Sequence, residues 1–202
     1  MRQGKESPMG NDSQYYVKDG HNYERVTSIL GYFQSPDLVK WKMRVGAKEA
    51  KRISTIAMKR GTNVDEYIRK HAETGEKPAK FKSNEEENCF KAYLQWRADY
   101  NPQGLSSATT LFDDESRIAG TPDLWMQDET LDIKCASAIR PTYWLQTEWY
   151  ARKKGHGFKS ILRLDGNLSI YEYVRVPVSD YHMKVFEALV TAFLYYNQKE
   201  GV

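Results

Sequence analysis

Two acidic residues and a lysine stand close together in the chain: Asp123 in Gly120-Thr121-Pro122-Asp123, then Asp132 and Lys134 in Asp132-Ile133-Lys134. Two carboxylates can hold a hard divalent cation, and a lysine beside them can orient water and offset charge on a phosphoryl group. That combination suits metal-dependent hydrolysis of a phosphodiester. The surrounding elements would bring the three groups together. Ile118 to Met126 and Thr130 to Ala136 both read as strands, joined by the polar turn Gln127-Asp128-Glu129. A hairpin centred between Gln127 and Asp128 sets Asp123 opposite Asp132, and opposed residues share a face of the sheet. Lys134 emerges on that same face, while Leu131 and Ile133 point into a core. A bulge would shift this register. Asp and Lys alternating with Leu and Ile also describes a half-solvated edge strand, so the carboxylates alone leave both readings open.

More of a pattern follows. Gln146 and Tyr150 lie four residues apart and share one face of a helix. At this point the chain resembles the PD-(D/E)xK nuclease superfamily, most closely the branch containing the RecB nuclease domain, lambda exonuclease and the mitochondrial genome maintenance exonuclease. The resemblance is carried by Ala119-Gly120-Thr121-Pro122-Asp123, by Leu131-Asp132-Ile133-Lys134, by the Gln146-to-Tyr150 helix and, in part, by Lys59-Arg60-Gly61-Thr62-Asn63-Val64-Asp65.

It implies Mg²⁺ or Mn²⁺, as one ion or two, held by Asp123, Asp132 and the main-chain carbonyl of Ile133. Lys134 would orient the attacking water or help deprotonate it, and Gln146 and Tyr150 would orient Lys134 or a DNA phosphate. Where related enzymes place a metal-binding histidine, this chain has Asp65, which suits magnesium at least as well. The substitution leaves open a single tightly held ion, or Glu66 or His71 in that role. Many relatives also carry a glutamate in the strand before the Pro-Asp motif. Ser106 to Leu111 offers none, and Asp113, Asp114 and Glu115 come just after.

Length and composition narrow the class. A chain of 202 residues with net charge +3 is one domain of ordinary size with a modest basic excess. No apolar run approaches a membrane span and no signal-like segment opens the chain, so no membrane partner is expected. The two cysteines, Cys89 and Cys135, read as reduced core residues of a cytoplasmic protein, and two cannot ligate a four-cysteine iron–sulfur cluster. The histidines His21, His71, His156 and His182 lack zinc-like spacing.

Residues 1–14 read as a disordered leader, and 15–202 as a single domain with a hairpin and helical region (15–100) and a catalytic core (101–202). Asp19-Gly20 marks a hairpin within Tyr15 to Val26. Ser35-Pro36 opens a helix expected to reach about Ala50. A second covers roughly Ile53 to Glu73, interrupted or tightened near Gly61, and a capping box at Ser83 or Asn84 starts a third. Strands at 105–112, 117–126 and 130–136 precede a helix from Pro141 to Gly155. A hairpin from Phe158 to Val176 then turns at Asp165-Gly166-Asn167. The final helix, from about Asp180, sets Tyr181, Val185, Phe186, Leu189, Val190 and Phe193 on one stripe. The order describes an α+β fold with one mixed central β-sheet flanked by helices. It agrees with a restriction-endonuclease-like PD-(D/E)xK core carrying an N-terminal helical wrap.

Basic residues cluster upstream of the motifs. Between Pro36 and Arg60, Lys40, Lys42, Arg44, Lys48, Lys51, Arg52, Lys59 and Arg60 face only Asp37 and Glu49. Arg140, Arg152, Lys153 and Lys154 form a second edge. A charge run is usually a solvated face, but one adjoining a proposed nuclease site suits phosphate contacts. Tyr32, Phe33 and Trp41 are placed to stack on unpaired bases. No sequence-reading motif is present. The expected activity is therefore a Mg²⁺- or Mn²⁺-dependent DNA exonuclease of phage or mobile-element type, acting without sequence specificity on linear single-stranded or frayed DNA. A helicase, a recombinase or a single-strand-binding protein would be a natural partner. A structure- or sequence-specific endonuclease and an inactive DNA-binding module are the alternatives. Polarity and oligomeric state are not legible.

Overall fold

A computed structural model describes residues 15–197, so the expected leader at 1–14 lies outside the described residues. The chain opens with the expected hairpin, β1 (Tyr15–Lys18) and β2 (His21–Arg25). Its turn residues Asp19 and Gly20 both have positive φ, 51° and 75°, as a tight two-residue hairpin turn requires. Two helices follow, α1 (Val26–Tyr32) and α2 (Pro36–Val45). Ser35 caps α2 by accepting from Leu38 N at 3.3 Å.

The next stretch departs from expectation. Helix α2 stops at Gly46, whose φ of 84° and ψ of 150° lie outside the helical range and suit glycine. A new helix, α3 (Ala47–Thr74), then runs straight through Gly61 without interruption. One glycine inside a long helix costs only about 1 kcal/mol relative to alanine, too little to break it. Helix α4 (Asn84–Tyr100) starts at the Ser83 cap, which accepts from Glu86 N at 3.2 Å.

Two sheets form rather than one. Each strand expected at 105–112 and 117–126 is divided, giving β3 (Ser106–Ser107), β4 (Leu111–Asp113), β5 (Ile118–Gly120) and β6 (Leu124–Met126). The outer halves β4 and β5 join the first hairpin in a four-stranded sheet of order β1-β2-β5-β4. The inner halves join β7 (Glu129–Lys134), β8 (Phe158–Leu164) and β9 (Tyr171–Pro177) in a five-stranded sheet of order β3-β6-β7-β8-β9. The division falls at Pro122, which has no N–H to give a ladder, and at the facing Thr109-Thr110.

Strand β7 is central, antiparallel to β6 and parallel to β8, which removes the edge-strand reading. The observed register, Leu124 opposite Leu131 and Met126 opposite Glu129, is the expected one. Leu131, Ile133, Leu162 and Leu164 pack into a core with Val64 and Ile68 of α3 and Phe90, Tyr93 and Trp96 of α4. The other face carries α5 (Pro141–Lys154). Its Leu145, Trp149 and Tyr150 form a second core with α1 and with Phe186 and Phe193 of α6 (Asp180–Asn197). Val185, Leu189 and Val190 pack at its margin, whereas Tyr181, expected on the same stripe, is exposed at the start of α6.

Candidate active site

The break at Pro122 positions the first carboxylate. With no ladder partner beyond Leu124, the Ile133 N–H donates to Asp123 Oδ2 at 2.6 Å, which turns the Asp123 side chain toward β7. Asp132 faces α5, opposite Leu131 and Ile133, and is 1 % exposed. Lys134 Nζ forms an ion pair with Asp132 Oδ2 at 2.5 Å, but its direction is poor for a hydrogen bond and no other donor reaches either Asp132 oxygen. A buried carboxylate in that condition is rare in a native structure and marks a place where something else belongs. Burial, opposed by Lys134 and reinforced by the charge of Asp123, pushes the Asp132 carboxyl up to about 7.

Helix α5 completes this face. Lys134 Nζ donates to Gln146 Oε1 at 3.2 Å, and Gln146 Nε2 donates to the Tyr150 hydroxyl at 3.3 Å. Lys134 also lies 5.0 Å from the centroid of the Tyr143 ring. Gly120 explains itself here. A Cβ on it would meet Tyr150 Cε1 at 2.6 Å and the hydroxyl at 2.8 Å, so only glycine lets the phenol lie against β5. Burial pushes the Tyr150 phenol far up, keeping it neutral. Burial alone would lower Lys134, but Asp132 and Asp123 hold its ammonium above the usual range. In this arrangement Lys134 is a donor and counter-charge rather than a base.

The remaining motif residue, Asp65, lies near these carboxylates. Burial first, then the charge of Asp123, pushes its carboxyl up to about 7 against the pull of Arg69. Arg69, one helical turn on, was not singled out from the sequence. Its Nε contacts both Asp65 oxygens at 3.0 and 3.1 Å. Spacing of four on one helix face was the available signal. Glu66 is exposed. His71 is buried at 3.2 Å from the Tyr93 hydroxyl, away from the carboxylates. Of the acidic residues at the end of β4 and just beyond it, Asp113 pairs with Lys153 and Asp114 with Lys18.

Among the described residues no three His, Cys, Asp or Glu side chains converge closely enough to enclose an ion. Two carboxylates, a main-chain carbonyl and water would suffice for Mg²⁺, which binds through one or two carboxylates and keeps several waters. The oxygens of Asp132, which accept no aligned hydrogen bond and lie beside Asp123, fit such an ion.

The basic residues divide into two groups. Lys40, Arg44, Lys48 and Lys59 are exposed on α2 and the first half of α3, as is Arg140 before α5. Helix α2 buries no residue, and α3 buries only Ala50 before Asn63, so this pair projects as an arm. At 1.5 Å per residue, Lys59 and Lys48 stand about 9 and 26 Å along the helix from Asp65. The arm also exposes Met43 and Met58, at 79 % and 69 %. Other basic side chains are engaged: Lys42 with Gln34, Arg52 with Glu49, Arg152 with Glu148 and Asp180, and Lys153 with Asp113. Arg60 has its Nε buried without an acceptor. Tyr32 and Phe33 pack on each other, with Tyr32 against Phe193 and Tyr196 of α6. Both cysteines are free thiols. None of the helices among the described residues is long and apolar enough to cross a membrane.

No family model matches the chain, and no curated protein matches it. Solved structures do. An alkaline exonuclease from Laribacter hongkongensis is similar with a TM-score of 0.51 and 12 % identity, over 86 % of this chain and 87 % of its own. A phage-related exonuclease from Haemophilus somnus 129PT gives a TM-score of 0.41 and 13 % identity, over 66 % of this chain and 79 % of its own. The first likeness shows a shared fold, consistent with the α+β architecture expected from the sequence. Residue roles rest on the local geometry.

Proposed function

We propose that this chain is a Mg²⁺- or Mn²⁺-dependent deoxyribonuclease that hydrolyses linear DNA from its ends without reading sequence. One observation carries the reading: a fully buried Asp132 with no hydrogen bond to either oxygen, on a central strand between Asp123 and Lys134. Asp123, Asp132 and the Ile133 carbonyl would hold the ion. When bound, it lowers the pKa of a water and stabilises charge on the phosphoryl oxygens. Lys134, held by Gln146 and charged throughout the neutral range, donates to the oxygen that gains negative charge. Gln146, itself donating to the Tyr150 hydroxyl, holds the ammonium from the α5 side while it stays beside Asp132.

The α2–α3 arm supplies phosphate contacts through Lys40, Arg44, Lys48 and Lys59, which accounts for binding without sequence preference. An arm beside the site admits a threaded strand more easily than the middle of a duplex. A helicase, recombinase or single-strand-binding protein that delivers unwound ends is the kind of partner this geometry suits.

The test compares linear and circularised single-stranded DNA of one sequence, in Mg²⁺, Mn²⁺ and EDTA. Degradation of the linear form alone, abolished by EDTA, is the expected result. Equal rates on both forms would replace the exonuclease reading with an endonuclease, and undiminished cleavage in EDTA would remove the metal.

A further inference from the structure

The guanidinium of Arg69 is engaged at all three nitrogens. Beyond the two Nε contacts to Asp65, Nη1 donates to the Ala108 carbonyl at 3.3 Å and Nη2 to the Pro122 carbonyl at 2.6 Å. Those carbonyls belong to the two segments where the chain leaves one sheet for the other, places where main-chain acceptors lose their ladder partners. Arg69 is thus anchored by the fold itself, unlike an exposed ion pair. From that anchor Nη2 stands 4.0 Å from Asp123 Oδ1, the oxygen not used by the Ile133 N–H.

We infer that Arg69 occupies the place of a second cation, so that the site holds a single divalent ion on its Asp132 side. An ion bridging Asp65 and Asp123 would have to displace a guanidinium held by two carbonyls and a carboxylate, or lie against its positive charge. Arginine stays protonated at any pH of interest, so the block is permanent. Asp65 then serves to position Arg69 and is not a ligand. Arg69 supplies fixed positive charge on the flank of Asp123 away from Lys134, where it offsets charge on a bound phosphodiester.

The inference rests on the proposed metal-binding role of Asp123 and Asp132. The experiment counts Mn²⁺ bound to the DNA-free protein by electron paramagnetic resonance titration, with circular dichroism as the fold control. Wild type should bind one ion. Asp65→Asn should also bind one, with affinity within about threefold of wild type. Two ions in wild type, or an Asp65→Asn affinity weakened more than about tenfold, overturns the inference and leaves the metal reading intact. No ion in wild type overturns the metal reading, and this inference with it. Arg69→Gln should gain a second ion, and adding Asp65→Asn should remove it. A folded Arg69→Gln that still binds one ion shows that the guanidinium excludes nothing, and overturns the inference. If Arg69→Gln fails to fold, wild type and Asp65→Asn decide.

Discussion

Two buried lysine–carboxylate pairs touch α5, and they are built in opposite ways. Glu148 and Lys159 are both 0 % exposed and fully satisfied. The Lys159 ammonium donates to Glu148 Oε2, to His182 Nδ1 at 2.7 Å and to the Trp144 carbonyl at 3.3 Å. Glu148 also accepts from Arg152 at 2.6 Å and from the Ser179 N–H just before α6. Burial would raise the Glu148 carboxyl, but these donors hold it below the usual range. Asp132 is as buried as Glu148, but it meets only the partly exposed Lys134 ammonium, without an aligned hydrogen bond, and its carboxyl rises to about 7. A buried charge with every donor and acceptor paired ties elements together, here α5, β8 and α6. One whose oxygens meet a single ammonium and no aligned hydrogen-bond donor, beside other carboxylates, is arranged for a ligand.

The contrast can be broken most forcefully at Lys134. Lys134→Ala should lower the turnover of linear DNA by roughly 10²–10³-fold while DNA affinity stays near wild type, because its donor acts on charge developing in the reaction. Near-normal turnover would remove Lys134 from the site. At the satisfied pair the effect should fall on stability instead. Glu148→Ala leaves Lys159 buried without its counter-charge and should destabilise by about 3–5 kcal/mol in denaturant unfolding. A loss under about 1 kcal/mol would mean that the network is not structural.

Proton binding sharpens the comparison. The metal-free folded protein keeps the Asp132 proton up to about pH 7, whereas the unfolded chain releases it near 3.8. The folded state therefore binds more protons across that window, and stability should fall as pH rises through it. Asp65, raised to about 7 likewise, adds to the same slope, so Asp132→Asn should make it shallower without removing it, and an unchanged slope would contradict the assignment. The smallest effect is expected at Gly120. Its added Cβ in Gly120→Ala must displace the Tyr150 ring, costing about 1–3 kcal/mol and loosening Gln146 from Lys134. Wild-type stability and turnover in Gly120→Ala would show that the close approach does not matter.

Much of the site was legible because its geometry is local. The turn at Gln127-Asp128 and the alternation in Leu131-Asp132-Ile133-Lys134 set the register, and spacing of four set Gln146 and Tyr150 on one face. What escaped depends on distant partners. The 117–126 segment reads as one strand running through Pro122, and only the parallel pairing of β2 with β5 shows that its two sides join different sheets. Lys159, between Phe158 and Ser160, reads like a solvent-facing lysine, and it is buried because α6 closes over it. Arg152 and Lys153 read as a free basic edge, whereas Asp180 and Asp113, far off in sequence, engage them. The Gly46 break separates two helices of similar composition that periodicity alone joins.

The central claim is that the under-satisfied Asp132, and not the fully satisfied Glu148, belongs to the reaction. It is tested most directly by degradation of end-labelled linear DNA in Mn²⁺ by Asp132→Asn and Glu148→Gln, at a temperature where circular dichroism shows both folded. Asp132→Asn should be slower than wild type by at least about 10²-fold and Glu148→Gln within about tenfold of it. Asp132→Asn degrading DNA at a rate close to wild type, or a folded Glu148→Gln as inactive as Asp132→Asn, would contradict the account.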